Sequence, residues 1–177
     1  PAMNNFFKAF QGGADNPTSI PQRQLLLSQS ESLVSRFRSL DTRLNSQMDT
    51  INFELEAAVS EINSLSEGLA KLNQAFVVAG GTGGDQPNNL LDERDETLRK
   101  LSELVTVSTF SEGESGQLNV YIGNGQPLVL GGTAAKLQAV TSPTDSRQKE
   151  IALQTDSSSS IISKNLSGGK VGGLLEF

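Results

Sequence analysis

Residues 22–78 read QRQLLLSQSESLVSRFRSLDTRLNSQMDTINFELEAAVSEINSLSEGLAKLNQAFVV. Apolar or small residues recur along this stretch at steps that alternate between three and four, forming an apolar seam: Leu33, Phe37, Leu40, Leu44, Met48, Ile51, Leu55, Ala58, Ile62, Leu65, Leu69, Leu72 and Phe76. That spacing lies on one side of an α-helix and suits packing against other helices. An unbroken helix of this length would extend about 85 Å. The stretch therefore predicts one long helix, a rod on which the rest of the chain is built.

Two features of this helix depart from a regular zipper. The steps from Leu40 to Leu44 and on to Met48 are both four residues, which unwinds a left-handed supercoil and predicts nearly straight packing. Asparagines, which are poor helix formers, also interrupt the stretch, at Asn45, Asn52, Asn63 and Asn73. A lone helix gives no reason for them, whereas amides at a subunit contact can pair across helices. The asparagines are therefore a candidate contact between copies.

Two groups of side chains near the amino-terminal half have more than one interpretation. Three arginines, Arg36, Arg38 and Arg43, form either a solvated face or a docking patch for an acidic neighbour. A short amphipathic segment before the long helix carries Met3, Phe6, Phe7 and Phe10 at helical spacing. These residues either cover the end of the long helix as core or form a hydrophobic docking site.

Composition excludes several classes of function. The 177 residues include no cysteine and no histidine, so thiol nucleophiles, Cys/His zinc sites and histidine bases are absent. The net charge of −6 and a pI near 4.7 argue against a nucleic-acid-binding surface. No apolar run is long enough to span a bilayer. The chain begins at Pro1 without methionine and ends inside a new apolar segment, which suggests a fragment.

A glycine-rich turn at residues 79–85 ends the long helix, and a second helix is predicted over residues 89–104 with Asn89 as its cap. No lysine and hydroxyl residue follow these glycines as in a phosphate-binding loop. Two ion pairs in the favourable i,i+4 order are expected, Asp95 with Arg99 and Glu96 with Lys100. The cluster at residues 92–96 is interpreted as a structural Arg/Asp network, with a metal site or acid–base chemistry as the alternative.

From residue 105 the hydrophobic period changes to two, which predicts a β-hairpin over residues 105–130. Further strands are predicted at residues 136–141 and 149–155, with residues 157–160 as a polar spacer. Residues 171–175 indicate the start of another helix. The prediction is an α+β fold with two domains: residues 1–130 form a helical rod domain with the hairpin, and residues 131–177 form a β-rich outer segment and the start of a returning helix.

Two strings in this second half are recognisable: PNNLLDERD at residues 87–95 and LNVYIGNGQPLV at residues 118–129. Together they resemble the hook-associated protein 1 family of bacterial flagella, the first hook-filament junction proteins. The end of the long helix and residues 168–177 are similar to the same family's flanking segments, so the resemblance covers nearly the whole chain. This chain has Asn89 where the family usually has aspartate, and it lacks the terminal helices that line the family's central channel.

The resemblance implies a secreted, extracellular structural subunit that joins hook to filament by mechanical coupling. The implied partners are neighbouring copies, the hook protein, the second junction protein and an export chaperone that binds the missing C-terminus, with no nucleic acid and no membrane. The fragment alone is predicted to be monomeric. The resemblance implies that the protein is not an enzyme and has no catalytic, cofactor-binding or metal-binding residue. The alternatives are a flagellin-like filament subunit and a coiled-coil surface adhesin module, with an enzyme acting through Asp92 or Asp95 as the third.

Overall fold

The computed structural model describes residues 2–80, 88–111, 116–155 and 158–176. Its helices are α1 (Ala2–Asp15), α2 (Ile20–Gly80), α3 (Asn88–Leu104) and α4 (Gly169–Leu175). Its strands are β1 (Val107–Ser111), β2 (Leu118–Ile122), β3 (Gln126–Leu130), β4 (Thr133–Ala134), β5 (Lys136–Thr141), β6 (Lys149–Thr155) and β7 (Ser158–Ile161). The predicted α+β fold is confirmed. The long helix is also confirmed and includes 61 residues, two more at each end than predicted.

Contacts divide the chain into two compact units, Pro1–Asp49 and Thr50–Phe177, so the boundary lies within the long helix α2. The first unit consists of α1 and the amino-terminal part of α2, and Ala9 is its one fully buried apolar residue among those described. The second unit contains the rest of α2, the helices α3 and α4, and all the described strands. It therefore holds nearly all of the apolar core.

The strands form two antiparallel sheets in the second unit. Sheet A has the order β1-β2-β3-β4, and sheet B has the order β5-β6-β7. The hairpin predicted from residue 105 is confirmed, but its first strand begins at Val107 because the N–H of Val105 donates to Leu101 at the end of α3. The predicted polar spacer at residues 157–160 is wrong for Ser158, Ser159 and Ser160, which pair with β6 as part of β7.

One apolar core joins these elements. Its most buried large residues come from α2, α3, α4 and both sheets: Leu55, Ile62, Leu69, Leu101, Ile122, Leu128, Leu137, Ile151 and Val171. The core therefore includes residues on both sides of position 130. The division into domains 1–130 and 131–177 stays a prediction.

The ends of α3 and α4 differ slightly from expectation. Because α3 begins at Asn88, Asn89 lies in its first turn, and its assignment as the cap is wrong. The glycine-rich turn that precedes it falls at residues 79–85, most of which lie outside the described residues. The helix predicted at residues 171–175 is confirmed as α4, which starts two residues earlier at Gly169.

A glycine ties the hairpin to the segment before α4. Gly123 follows β2 with φ of +53°, and an added Cβ would lie 2.0 Å from the carbonyl oxygen of Asn165. The next residue, Asn124, donates its N–H to the same carbonyl over 3.0 Å. Glycine is thus required at this position both for its backbone conformation and for the close approach of the two chain segments.

Candidate functional site

The side of α2 that faces the sheets in the second unit carries asparagines that bind strand backbone. Asn63 donates its amide N–H to the carbonyl of Leu137 over 2.9 Å, and its amide oxygen accepts the N–H of the same residue over 2.8 Å. A side-chain amide offers a donor and an acceptor side by side, as a neighbouring strand does. Asn63 therefore stands in for a strand at the edge of β5.

Two more asparagines make the same kind of contact. Asn73 binds both backbone groups of Leu118, at 2.8 and 3.0 Å, and also donates to the carbonyl of Gly131 over 2.7 Å. Asn52 donates to the carbonyl of Arg147 over 2.7 Å and accepts the N–H of Lys149 over 2.9 Å. We call Asn52, Asn63 and Asn73 the asparagine clasps, because each holds the start of a strand or the edge of a sheet against α2.

The clasps correct the interpretation of these asparagines as a contact between copies. Asn52, Asn63 and Asn73 use their amides inside the second unit. Asn45, in the first unit, donates to Asp41 one turn earlier over 3.3 Å. The spacing of 11 and then 10 residues between the clasps, about three helical turns each, was the available signal in the sequence. That signal shows that the amides share a side of the helix but does not say which backbone they bind.

Arg94, in the middle of the LLDERD string, anchors α3 to the end of α2. Its guanidinium carbon lies 5.1 Å from the ring centroid of Phe76, and Nη1 donates to the carbonyl of Gly116 over 3.3 Å. Its side chain is 19% exposed, and the nearest carboxylate oxygen, on Asp95, is 3.8 Å from Nε. Nε has no hydrogen-bond partner among the described residues. A cation held over a ring in a partly desolvated place supports packing of the two helices.

The carboxylates of α3 form ion pairs on an exposed surface. The predicted pair of Glu96 with Lys100 is confirmed at 3.5 Å. The predicted pair of Asp95 with Arg99 is wrong, because Arg99 instead binds Glu96 over 2.8 Å and Glu103 over 2.5 Å. The hydrogen bond from Arg99 is the main cause that lowers the pKa of Glu96 from 4.5 to about 2. Within residues 92–96, the ion pairs are thus those of Asp95 with Arg94 and of Glu96 with Arg99 and Lys100, and exposure makes the pairs of Glu96 weak.

The apolar seam of α2 differs between the two units. In the second unit, Leu55, Ile62 and Leu69 are at most 2% exposed. In the first unit, the seam side chains of Phe37, Leu40 and Leu44 are 53–60% exposed. Side chains with this exposure still offer apolar area that contact with another helix would remove from water.

The two ambiguous groups of side chains also lie in the first unit, and both are exposed. Met3, Phe7 and Phe10 are 52–59% exposed, so the interpretation of these residues as core is wrong. Their remaining neighbour Phe6 is partly buried, and its ring centroid lies 5.5 Å from that of Phe7. Arg36, Arg38 and Arg43 are exposed as a solvated face would be. A docking patch for an acidic neighbour stays a prediction.

A metal site, a ligand groove and a membrane-spanning helix each require particular features of the described residues. Within residues 2–80, 88–111, 116–155 and 158–176, no group of three or more His, Cys, Asp or Glu is placed to hold a metal ion. A groove of about 630 Å³ lies beside β3, β4, β5 and β6, and its described lining combines apolar residues with the polar residues Thr133, Lys136, Gln154 and Thr155. No helix in the described part of the chain is both long and apolar enough to cross a membrane. The absence of catalytic, cofactor and metal residues stays a prediction.

The geometry defines a class of protein: a helical domain in which one very long helix carries two small sheets and leaves an apolar face open. A family model described as the flagellar hook-associated protein FlgK helical domain matches residues 1–177. The chain belongs to this family.

Relatives agree with this assignment. The chain is 35% identical over 178 residues to flagellar hook-associated protein 1 of Escherichia coli (strain K12), and 33% identical over 179 residues to that of Salmonella typhimurium (strain LT2). Each alignment covers 99% of this chain and 32% of the relative. The solved structure of the flagellar hook junction protein FlgK from Burkholderia pseudomallei matches with a TM-score of 0.86 at 30% identity, over 98% of this chain and 32% of that one. The chain thus spans about a third of the relatives' length.

Proposed function

We propose that this chain is the helical domain of a structural subunit that joins the hook of the bacterial flagellum to its filament. The observation that carries the proposal is the exposed apolar seam of the first unit, because a subunit built only to fold alone gains nothing from an open helical face. The names of the relatives, hook-associated and hook junction protein, support the same role. The function is mechanical coupling, not catalysis.

The proposal includes the location and the partners of the whole protein. The subunit is secreted and lies outside the cell, in the flagellum. Its partners are neighbouring copies of itself, the hook protein, the second junction protein and, before assembly, an export chaperone. The seam packs with helices of the axial structure, while exposed polar faces meet adjacent subunits. The buried seam, the clasps and Arg94 keep the second unit rigid, so that load passes through it without local unfolding.

The alternative is a flagellin-like filament subunit, which would share the long helix and the hairpin. We favour the junction subunit because the LLDERD string at residues 90–95 resembles the hook-associated family, whose helical-domain model matches residues 1–177. A coiled-coil surface adhesin would also expose an apolar seam. The phenotype of a gene deletion distinguishes an adhesin from the junction subunit.

Deletion of the gene tests the proposal. We expect cells that make hooks but shed unassembled flagellin, and full recovery of filaments when the whole gene is returned. A gene with Phe37, Leu40 and Leu44 changed to glutamine should fail to restore filaments. A matched gene with Ser32 and Ser39 changed to glutamine, both exposed outside the seam, should restore them. Attached filaments in the deletion strain would contradict the junction role and favour the adhesin.

A further inference from the structure

The two sheets have four outer strands, and these strands differ in how well their outer edges are protected from pairing with another chain. Sheet A ends in β1 and β4, and sheet B ends in β5 and β7. The outer edge of a sheet presents N–H and C=O groups that can pair with a strand of another chain, so edges are usually shortened, charged or covered. β4 has only two residues, and the edge of β5 is covered at Leu137 by Asn63. One end of each sheet is therefore protected, whereas β1 and β7 have five and four residues, and no described residue binds their outer backbone groups as Asn63 binds those of β5.

The register of sheet A fixes which groups of β1 turn outward. Leu118 faces Ser111 across the β1–β2 pair, but both backbone groups of Leu118 bind Asn73 on the side away from β1. Because hydrogen-bonded and non-bonded positions alternate in an antiparallel pair, Ser111, Thr109 and Val107 turn their N–H and C=O groups toward the outer edge. Four of the five residues of β1 are exposed.

The same alternation applies to β7. Just after β7, the N–H of Ile162 donates to the carbonyl of Ile151 in β6 over 2.8 Å. Because the positions alternate, the even-numbered residues of β7 turn their backbone groups toward β6. The N–H and C=O groups of Ser160 therefore turn toward β6, while those of Ser159 and Ile161 turn outward. All four residues of β7 are exposed.

The composition of these edges gives them no protection against pairing. β1 reads VSTFS and β7 reads SSSI, without charge or proline. Each edge also carries an exposed apolar side chain, Phe110 at 66% and Ile161 at 43%. Two neutral open edges of nearly equal length, one on each sheet, occur in every copy of the chain. Each copy thus carries the partner that the other edge of a second copy requires.

We propose that β1 of one copy pairs with β7 of the next copy in the assembled flagellum. A contact between two different surfaces of the same chain is heterologous, and its repetition builds a ring or a helical array. The inference rests on the proposed function, because strands of five and four residues are too short to hold two free chains together. Assembly supplies the high effective concentration that such a contact needs.

Cysteine cross-linking in flagella built from the full-length protein tests the contact. This chain has no cysteine, so introduced pairs have no background within it. We choose Ser108→Cys and Ser160→Cys, both at exposed positions where cysteine differs little in size. If Thr109 opposes Ser159, these two positions face each other, and if Thr109 opposes Ile161, they are diagonal neighbours. A short bismaleimide reaches across either arrangement.

We expect the double variant to give a ladder of dimers, trimers and larger products, since each copy joins two neighbours. Either single variant should give none. The pair Ser108→Cys with Ser64→Cys, a serine exposed on α2, is the matched control and should give no ladder. Dimers from one single variant would show pairing of like edges, and a ladder from the control would show unspecific capture. Either result overturns the proposal.

Failure of this contact and failure of the proposed function give different results. If the protein is found at the junction by immunolabelling but the double variant is not cross-linked, the strand pairing is wrong and the function stands. If the protein is absent from flagella, the function itself is wrong. As a second variant, Thr109→Pro removes an outward N–H that β2 does not use. Added to the Ser108→Cys/Ser160→Cys double variant, it should abolish cross-linking while the circular dichroism of the free chain is unchanged. A ladder as strong as that of the double variant alone would overturn the proposal.

Discussion

At the scale of single residues, the second unit depends on short polar side chains as much as on its apolar core. Each clasp satisfies a donor and an acceptor that would otherwise stay unpaired at the surface of α2. A partly buried polar group that loses its partner costs more than the bond gained when it formed. The clasps therefore define the register between helix and strands, which apolar contacts alone define poorly.

Replacement of Asn63 by alanine should lower the free energy of unfolding by about 1–3 kcal/mol relative to Asn45→Ala, because Leu137 loses both partners. Replacement of asparagine by alanine raises the helix propensity equally at both positions, so the difference in unfolding free energy between the two variants reports the clasp. Urea denaturation of the two variants measures it. Hydrogen exchange at the Leu137 amide should accelerate in Asn63→Ala alone. Equal stability of the two variants would show that the clasp contributes nothing.

The ion pairs on α3 lead to a prediction for pH. Arg99 lowers the pKa of Glu96 to about 2, below the value of 4.5 for an unperturbed carboxyl. A carboxyl whose pKa is lowered by folding stabilises the folded chain above its unfolded pKa, and this contribution is lost as the pH falls from about 4.5 toward 2. In Arg99→Met, NMR titration should find the Glu96 pKa shifted back toward 4.5. Lys100→Met is the control and should shift it less, since Lys100 contributes less than Arg99.

At the scale of elements, the turn after β2 offers two glycines with the same conformational requirement but different surroundings. Gly123 and Gly125 both have positive φ, at +53° and +90°. An alanine Cβ at Gly123 would collide with the backbone of Asn165, whereas nothing lies within 4 Å at Gly125. The first turn position thus controls packing against the segment before α4, and the second only the turn.

We expect Gly125→Ala to cost about 1 kcal/mol, from the strain of a left-handed conformation alone. Gly123→Ala should cost clearly more, since the contact with Asn165 must also open. Thermal unfolding of both variants gives the comparison. In Gly123→Ala the amide of Asn124, which donates to Asn165, should also lose protection from hydrogen exchange. Similar melting temperatures would mean that the segment moves aside at little cost.

The elements themselves followed from the sequence because their signals are local. The step of three and four predicted α2 to within two residues at each end, and the period of two predicted β1 and β2. The further strands predicted at residues 136–141 and 149–155 are β5 and β6. The predictions that failed concern contacts between residues far apart in the sequence. The strand at Ser158–Ile161 has no alternation of its own and forms because β6 lies beside it. The partners of Asn63 and Asn73 are 74 and 45 residues away, a distance over which sequence spacing carries no information.

At the scale of the whole molecule, the apolar seam of α2 serves two purposes along one helix. In the second unit its residues Leu55, Ile62 and Leu69 are core, and in the first unit Phe37, Leu40 and Leu44 are exposed. The sequence pattern is the same in both, because periodicity reports that a face is apolar and does not report what covers it. The division of the chain into units at Asp49 was therefore not available from the sequence.

Matched leucine-to-alanine changes should separate these purposes. Leu69→Ala, at a site 2% exposed, should lower the stability of the free chain by about 2–5 kcal/mol. Leu40→Ala, at a site 53% exposed, should change it by less than about 0.5 kcal/mol. Denaturant unfolding of both variants tests this, provided that the chain unfolds in a single transition. A large loss in Leu40→Ala would show that the seam of the first unit is already covered in solution.

The free chain should be monomeric, although it exposes the seam and two open strand edges. Each of these surfaces is small or short, and none is held against its partner until assembly brings copies side by side. Light scattering across a concentration series should give the mass of one chain, 18.8 kDa. A stable ring of this chain alone would mean that it assembles without the rest of the protein. In that case, the cross-links between Ser108→Cys and Ser160→Cys should already form in solution.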